Sequence, residues 1–505
     1  MKIERTKNAV RNVMWGTSYR LVSIIFPFAF RTVMIQFLGA EYLGVNTLFT
    51  SVLQVLNLSE LGFGSAIVYS MYKAIAEEDS GLISAYLNFY KKIYLIIGTI
   101  ILVVGLLLCP LIPHLIAGTY PNDINIYFVY VLFLINASFS YLFFGYSGAL
   151  FNAFQRNDIE SRLLLFITVL KYSLEIAGIV ITKQYYLFLF VEIGSTMALN
   201  LGKFILSKRY YPQYKCSGKL DAAQKGQIKK NVVALFFHKI GGVILNSGDN
   251  IVLSAFIGVV AVATYGNYYY IMNSVESFII VAFAGLTAGI GNSFVTETVS
   301  KNRNTFLRVL FFNGWISCVA CSMMVAIYQD FIYMWVGEKF LYPNYMMYLI
   351  VAYFFVHSIR RTIIVFRDGA GMWQDNKWQP IVSATFNIFV NIMLVVSIGV
   401  PGIVISSILS MLLIDIPWES NLFCKKIEMQ PIVYYFSLLK FFMCTVLSCI
   451  IIFFISIIVQ LGVVYNIFVK GIIGFVIANT IIWIAYHKSE SYSYYLSLVL
   501  SKIRR

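Results

Sequence analysis

Charge is scarce in this chain. Only 12% of its 505 residues are Asp, Glu, Lys or Arg, about half the share of an ordinary water-soluble domain. That is too little to coat a water-soluble particle of this length, which excludes a soluble enzyme, a nucleic-acid-binding module and a disordered chain. Histidine is nearly absent, with His114, His238, His357 and His487 the four in the chain. They form no H-E-x-x-H and no paired ligand spacing, so no metal site is expected. A Walker A sequence is also missing, so neither ATP hydrolysis nor any cofactor is expected. The seven cysteines form no disulfide framework. Cys318 and Cys321 make a C-x-x-C inside an apolar run, where two small apolar residues one helical turn apart is the better reading. Long polar stretches are lacking too. The longest is 208–230, which leaves no room for a soluble domain.

What fills the chain is apolar: 59% hydrophobic, 17% aromatic, with a mean hydropathy of +0.78. A membrane-crossing helix needs roughly 20 apolar residues, so the composition suffices for about fourteen. The runs are long and unbroken rather than alternating ten-residue segments, which excludes a β-barrel. They fall at 13–38, 44–71, 93–116, 125–153, 163–182, 185–206, 232–257, 260–292, 309–336, 344–366, 379–399, 401–423, 432–461 and 464–487. The basic start Met1–Arg11 leads straight into a full-length span, so no cleavable signal is expected.

The net charge of +15 reads as loops obeying the positive-inside rule rather than as a nucleic-acid surface. With the N-terminus cytoplasmic, 27 of the 38 Lys and Arg lie in cytoplasmic segments, nine lie within spans, and the outer loops keep Lys183 and Lys339. Both termini are therefore expected on the cytoplasmic side. The basic stretch 208–230 divides the chain into an N-terminal lobe (1–207, spans 1–6) and a C-terminal lobe (231–424, spans 7–12). A final pair, spans 13 and 14, and a basic tail occupy 425–505. A weak echo supports the division: Asn57-Leu-Ser-Glu60 recurs as Asn273-Ser-Val-Glu276. Parallel repeats in transporters enclose a substrate path between them.

Ionisable residues at membrane depth are costly and face protein or a wet cavity. Lys171 and Glu175, four apart on one helix, are expected to neutralise each other. Asp415 and Glu419 are expected to point into water at the inner end of span 12. Lys203 and Lys440 are expected to snorkel to the inner interface and Lys470 to the outer one. Span 1 is harder to dismiss. Arg20 and Arg31, eleven residues apart, share one helical stripe about 16 Å apart in height, and Pro27 between them marks a hinge. Span 7 repeats the arrangement, with His238 and Lys239 in its inner half and Asp249 in its outer half. Span 10 adds Arg360 and Arg361. These positions point to a cavity open to the cytoplasm, lined by Arg20, His238, Lys239, Arg360 and Arg361 and suited to a di-anionic head group. Arg31 and Asp249 would form an outer gate; structural ion pairing of the two span-1 arginines is the competing reading. Glu60 and Glu276 are candidates for proton coupling or for balancing the arginines.

Three stretches carry a resemblance. They are Arg31-Thr-Val-Met-Ile-Gln-Phe-Leu-Gly-Ala-Glu41-Tyr-Leu-Gly44 with Leu56-Asn-Leu-Ser-Glu60-Leu-Gly-Phe-Gly64; Asn246-Ser-Gly-Asp249-Asn250 with Gly266-Asn-Tyr and Gly289-Ile-Gly-Asn292; and Arg361-Thr-Ile-Ile-Val-Phe-Arg367-Asp368-Gly-Ala-Gly371 with Asp375-Asn-Lys-Trp-Gln-Pro380. Together they resemble bacterial Wzx-type polysaccharide flippases, of the multidrug/oligosaccharidyl-lipid/polysaccharide exporter superfamily. The resemblance implies an all-α polytopic membrane protein of about fourteen transmembrane helices. Twelve form two six-helix, MATE-like lobes with a V-shaped, alternating-access cavity, and a final helix pair offers a side groove for a lipid tail. It implies a bacterial plasma-membrane location and an undecaprenyl-diphosphate-linked oligosaccharide as substrate, turned from the inner to the outer leaflet. Membrane lipids and polysaccharide-assembly proteins would be its partners.

The nearest rival is a cation-coupled multidrug exporter of the same fold, which would want acidic rather than basic cavity residues. A membrane polysaccharide polymerase or ligase is a third reading, but it would carry a substantial outer loop with catalytic groups. Here that face offers little beyond Glu41, Asp123, Lys183, Asp330, Glu338 and Lys339.

Overall fold

A computed structural model describes residues 5–57, 62–372 and 375–503. The side chains of some further residues, His238 and Lys239 among them, lie outside the described set, and so does Glu60 altogether. Among the described residues the secondary structure is helical, with no strand. The helices are α1 (Arg5–Phe37), α2 (Ala40–Leu56), α3 (Phe63–Ala76), α4 (Ser80–Leu108), α5 (Ile126–Leu142), α6 (Ala149–Ala153), α7 (Asn157–Thr182), α8 (Tyr185–Tyr210) and α9 (Ala222–Phe256). They continue with α10 (Val259–Thr296), α11 (Val299–Val336), α12 (Asn344–Gly369), α13 (Gln379–Ile398), α14 (Val400–Ser410), α15 (Ile416–Lys426), α16 (Pro431–Ile458), α17 (Val463–Tyr486) and α18 (Glu490–Ile503).

Among the described residues all fourteen expected runs fall on helices, and the fold is the all-α polytopic class that the composition predicts. Ten helices are individually long and apolar enough to cross a bilayer, and α5 with α6, bent by 50°, makes an eleventh. The other three expected spans coincide with α2 plus α3, α9 and α10. Several runs are broken where the sequence supplies a breaker. Gly62, at φ 95°, opens α3 in a conformation that side-chain-bearing residues avoid. Span 12 is α14 and α15 joined by one π-helical turn, Met411–Asp415, and followed at once by Pro417. Starts carry the expected caps. Asp79 accepts from the Leu82 amide at 2.8 Å, and Pro431 occupies the first turn of α16. Pro27, by contrast, sits inside an uninterrupted α1.

Packing divides the chain into Met1–Ala263 and Thr264–Arg505, a boundary inside α10 rather than in the basic segment 208–230. The reason is α9, which packs against α2 and α3. Ser247 donates to Gln54 at 3.0 Å and Asn250 to Ser51 at 3.0 Å. The basic segment is itself ordered. Helix α8 runs on to Tyr210, and α9 starts at Ala222 behind a capping box in which Asp221 and Gln224 serve each other's backbone amides. Between them Tyr211 stacks on Phe154 at 4.6 Å, Asn88 donates to Gly218 O at 2.8 Å, and burial pushes the Tyr211 phenol up to about 12.

In the first unit α1 lies along α7, α4 along α5, and α7 along α8. The N-terminal end of α1 is clamped by Asn12, which donates to Gln155 O at 3.1 Å and accepts from the Asp158 amide at 2.7 Å. The Asp158 carboxylate is fully buried and is shared by Arg156, at 2.8 Å, and Arg162; its hydrogen bonds raise the already high Arg156 guanidinium. Asp158→Ala leaves two cations around an apolar hole, partly open to water. A loss of about 1–3 kcal/mol is expected, read as a lower melting temperature in detergent and earlier proteolysis at the 154–158 corner.

In the second unit α11 is the axis, packed against α12, α16 and α17. Phe306 meets Phe366, Phe423 and Tyr434, and Phe441 stacks on Tyr486 at 4.8 Å. Asn313 of α11 donates to Ser358 O at 2.8 Å and to Thr362 at 2.9 Å. Cys318 and Cys321 are free, fully buried thiols on this helix, as two small core residues should be.

Candidate functional site

In the first unit Arg20 is exposed on α1 and makes no ion pair among the described residues. Arg31 is half-buried on the same helix, and Asp249 is buried on α9, between the two side chains that bond α9 to α2. His238 and Lys239 belong to α9, but their side chains lie outside the described residues, and Glu60 does too.

Lys171 has the expected partner and a second, nearer one. Its ammonium lies 2.5 Å from Glu192 of α8 and 3.9 Å from Glu175. The i,i+4 rule pointed to Glu175 alone; Glu192 is the one acidic residue in span 6, and that was the available signal. Lys203 is likewise bound by a carboxylate, Glu160 at 2.6 Å.

The second unit neutralises its arginines. Arg360 holds Glu419 in a fork, Nε to Oε2 at 2.7 Å and Nη2 to Oε1 at 2.8 Å, and its Nη1 reaches Asp415 at 2.7 Å. Arg367, seven residues further along the same face of α12, donates to Glu419 at 2.6 Å and pairs with Asp368 at 2.8 Å. Asp415 and Glu419 are therefore not in water, as the sequence reading had them: they are 1% and 0% exposed. Four residues apart across the π turn into α15, they face α12, and Gln379 donates to Asp415 as well. Every nitrogen of Arg360 is committed, so a diphosphate would have to displace carboxylates to reach it.

Arg361 points elsewhere. Its Nη2 donates to Glu276 of α10 at 2.5 Å, and His357 Nδ1 lies 2.9 Å from the same oxygen. Glu276 thus balances an arginine. The Nε of Arg361 has no hydrogen-bond partner among the described residues, so this guanidinium keeps donors in reserve where Arg360 has none. Two lysines expected at the interfaces are satisfied by protein. Lys470, only 8% exposed, pairs with Asp330 at 2.8 Å, and Lys440 donates to Ala485 O at 2.9 Å over the Tyr486 ring. An apolar groove of about 470 Å³ lies between α12 and α16, walled by Tyr348, Val351 and Phe355 on one side and Phe442, Val446 and Phe453 on the other.

Solved structures share this helical membrane fold. One is an inward-facing multidrug-resistance MATE family transporter of the MOP superfamily, with TM-score 0.60 and 14% identity over 79% of this chain and 92% of that one. The lipid II flippase MurJ in an inward closed conformation matches with TM-score 0.59 and 13% identity, over 93% of this chain and 99% of that one. A Vibrio cholerae MATE transporter, VcmN, gives 0.57 and 14% over 84% and 99%. No family model matches the chain, and no curated protein does. The fold is that of the MATE transporters and MurJ.

Proposed function

We propose that the chain is a flippase that carries an undecaprenyl-diphosphate-linked oligosaccharide from the inner to the outer leaflet of a bacterial plasma membrane, for surface polysaccharide assembly. The observation that carries this is Arg20, an exposed guanidinium on a membrane-depth helix with no carboxylate partner among the described residues. A cation held in that position needs an anion, and a guanidinium fork matches a phosphate. Arg361, with donors to spare, is the second candidate ligand. Lys239 and His238 stay in the proposal on sequence grounds, whereas Arg360 is reassigned to holding α12 against α15. Arg31 and Asp249 are proposed as the gate, with Pro27 as a hinge in α1. We assign residues 1–207 and 231–424 to two lobes, 208–230 to their cytoplasmic linker, and both termini to the cytoplasm. The α12–α16 groove suits an acyl or prenyl tail. Partners would be membrane lipids and the proteins that build and polymerise the glycan.

A drug exporter of this fold is the rival that two of the structural neighbours keep in view. An exporter of organic cations calls for an exposed, unpaired carboxylate, and on α1 the exposed group is an arginine. The deciding experiment disrupts the gene in its host, in a background without other flippases, and tests lipid-linked repeat units for access from the outer face. Units trapped inside, with surface polysaccharide lost, are expected. Unchanged outer access would sink the flippase reading.

A further inference from the structure

A second cavity of about 470 Å³ lies in the second unit, where α16 begins and α17 ends. It uses a different face of α16 from the groove against α12. Leu310 of α11 and Val433, Phe436 and Phe441 of α16 form its apolar wall. Its polar end gathers Lys440 and Ser437 of α16 with Ser489 and Ser491, at the turn from α17 into α18.

The charge at that polar end is not cancelled. Ala485 O accepts one of the three N–H bonds of Lys440 at 2.9 Å, and the Tyr486 ring lies 3.9 Å from the ammonium. A carbonyl and a ring solvate the ammonium without neutralising it. Among the described residues no carboxylate pairs with Lys440. Glu490, between the two lining serines in sequence, is held by Arg308 at 3.0 Å. Ser489 accepts from the Tyr492 amide at 3.2 Å, so the positive end of the α18 dipole also faces this corner. The other end opens sideways. Phe436 is 65% and Val433 42% exposed, and on a membrane-crossing helix such side chains meet lipid chains.

We propose that this cavity seats an anionic phospholipid, its phosphate on Lys440 and the serine hydroxyls and an acyl chain along Leu310, Val433 and Phe436. An uncancelled ammonium among hydroxyls calls for a phosphate. The apolar wall beside it calls for a hydrocarbon chain, and a phospholipid joins the two. A zwitterionic lipid fits less well. Its amine already offsets its phosphate, and the nearby carboxylate that could hold that amine is taken by Arg308. The bound lipid ties α16 to the α17–α18 turn as a lasting part of the structure. The topology proposed above puts it in the inner leaflet; the site itself does not rest on the flippase reading.

The test is native mass spectrometry of the purified full-length protein, released from nanodiscs that hold phosphatidylglycerol and phosphatidylcholine in equal amounts. The wild type should retain one phosphatidylglycerol in preference to phosphatidylcholine. Lys440→Ala should lower that retention about 10-fold, and Lys440→Arg should keep it. Lys440 is exposed, so its removal should leave the fold intact. Lys488→Ala, at an exposed lysine of the same turn, should change nothing. Ser437→Phe keeps the charge but fills the cavity, and should also release the lipid. Equal retention of the two lipids by the wild type overturns the proposal. So does full retention in Lys440→Ala, or in Ser437→Phe, which would make the attraction one of surface charge alone. A Lys440→Ala variant that melts lower while holding as much lipid would show Lys440 to be a cap on the last carbonyls of α17. Displacement of phosphatidylglycerol by undecaprenyl diphosphate would make the cavity part of a transport path, and that too overturns a lasting lipid site. None of these results decides what the protein carries across the membrane in the export assay, so the two readings fail separately.

Discussion

Glu419→Gln is expected to leave little folded protein in the membrane, and what is purified should melt on the order of 10 °C below the wild type. Glu419 is fully buried and accepts three hydrogen bonds, two from Arg360 and one from Arg367. Glutamine keeps the volume but offers one acceptor, and it turns an NH2 group toward guanidinium donors. Arg360 then retains Asp415 alone and Arg367 retains Asp368. Breaking a buried pair from one side costs about 3–5 kcal/mol, and here it leaves two buried guanidiniums with one carboxylate each. Against a total stability of about 5–15 kcal/mol, that is roughly a fifth or more. The cost should be strongly non-additive. Adding Arg360→Gln to Glu419→Gln deletes both sides of the fork, so the double variant should lose less than the sum of the two single losses, although it leaves the buried Asp415 without its cation. A single variant that melts within a degree or two of the wild type would mean that this network carries little of the unit's stability.

The helices were legible because bilayer thickness imposes length and apolarity on a run whatever its neighbours do, and among the described residues every expected run falls on helix. The charges were legible only as positions. Arg360 and Arg361 are adjacent in sequence and look alike, yet they sit about 100° apart on a helix, so one meets α15 and the other α10. No local pattern says which faces carboxylates on another span. The same limit applies to Lys171, whose i,i+4 partner is real but weaker than Glu192 on the next helix. Asp415 and Glu419 were placed in water because the inner end of a span usually is. The π turn and the seven-residue spacing of Arg360 and Arg367 on the facing helix decide otherwise, and those are tertiary facts. Helix α9 teaches a similar lesson: its Ser247 and Asn250 hydrogen-bond to α2, pairings that no local pattern announces.

Arg20→Ala is expected to reduce export of lipid-linked repeat units by about 10–100-fold without lowering the amount of protein in the membrane. Two features argue for that separation. Arg20 is exposed and pairs with no carboxylate among the described residues, so its removal strands no buried partner, and surface substitutions of that kind stay within about 0.5 kcal/mol. A charge-assisted contact to a phosphate, on the other hand, contributes about 1.5–3 kcal/mol, which sets the expected fold-change. Arg20→Lys tests the fork: it keeps the charge but loses the paired geometry, and should fall between the wild type and Arg20→Ala. Arg361→Ala behaves differently on physical grounds, because it leaves the buried Glu276 with His357 as its remaining partner. Lower protein levels are expected there along with lower export, so Arg361 alone cannot separate binding from folding. If repeat units reach the outer leaflet as fast in Arg20→Ala as in the wild type, the diphosphate is held by other residues. If Arg20→Ala instead fails to accumulate, Arg20 is a structural cation and the argument from its exposure is wrong. Reduced export at normal abundance, with Arg20→Lys intermediate, is the outcome that a phosphate ligand on α1 requires.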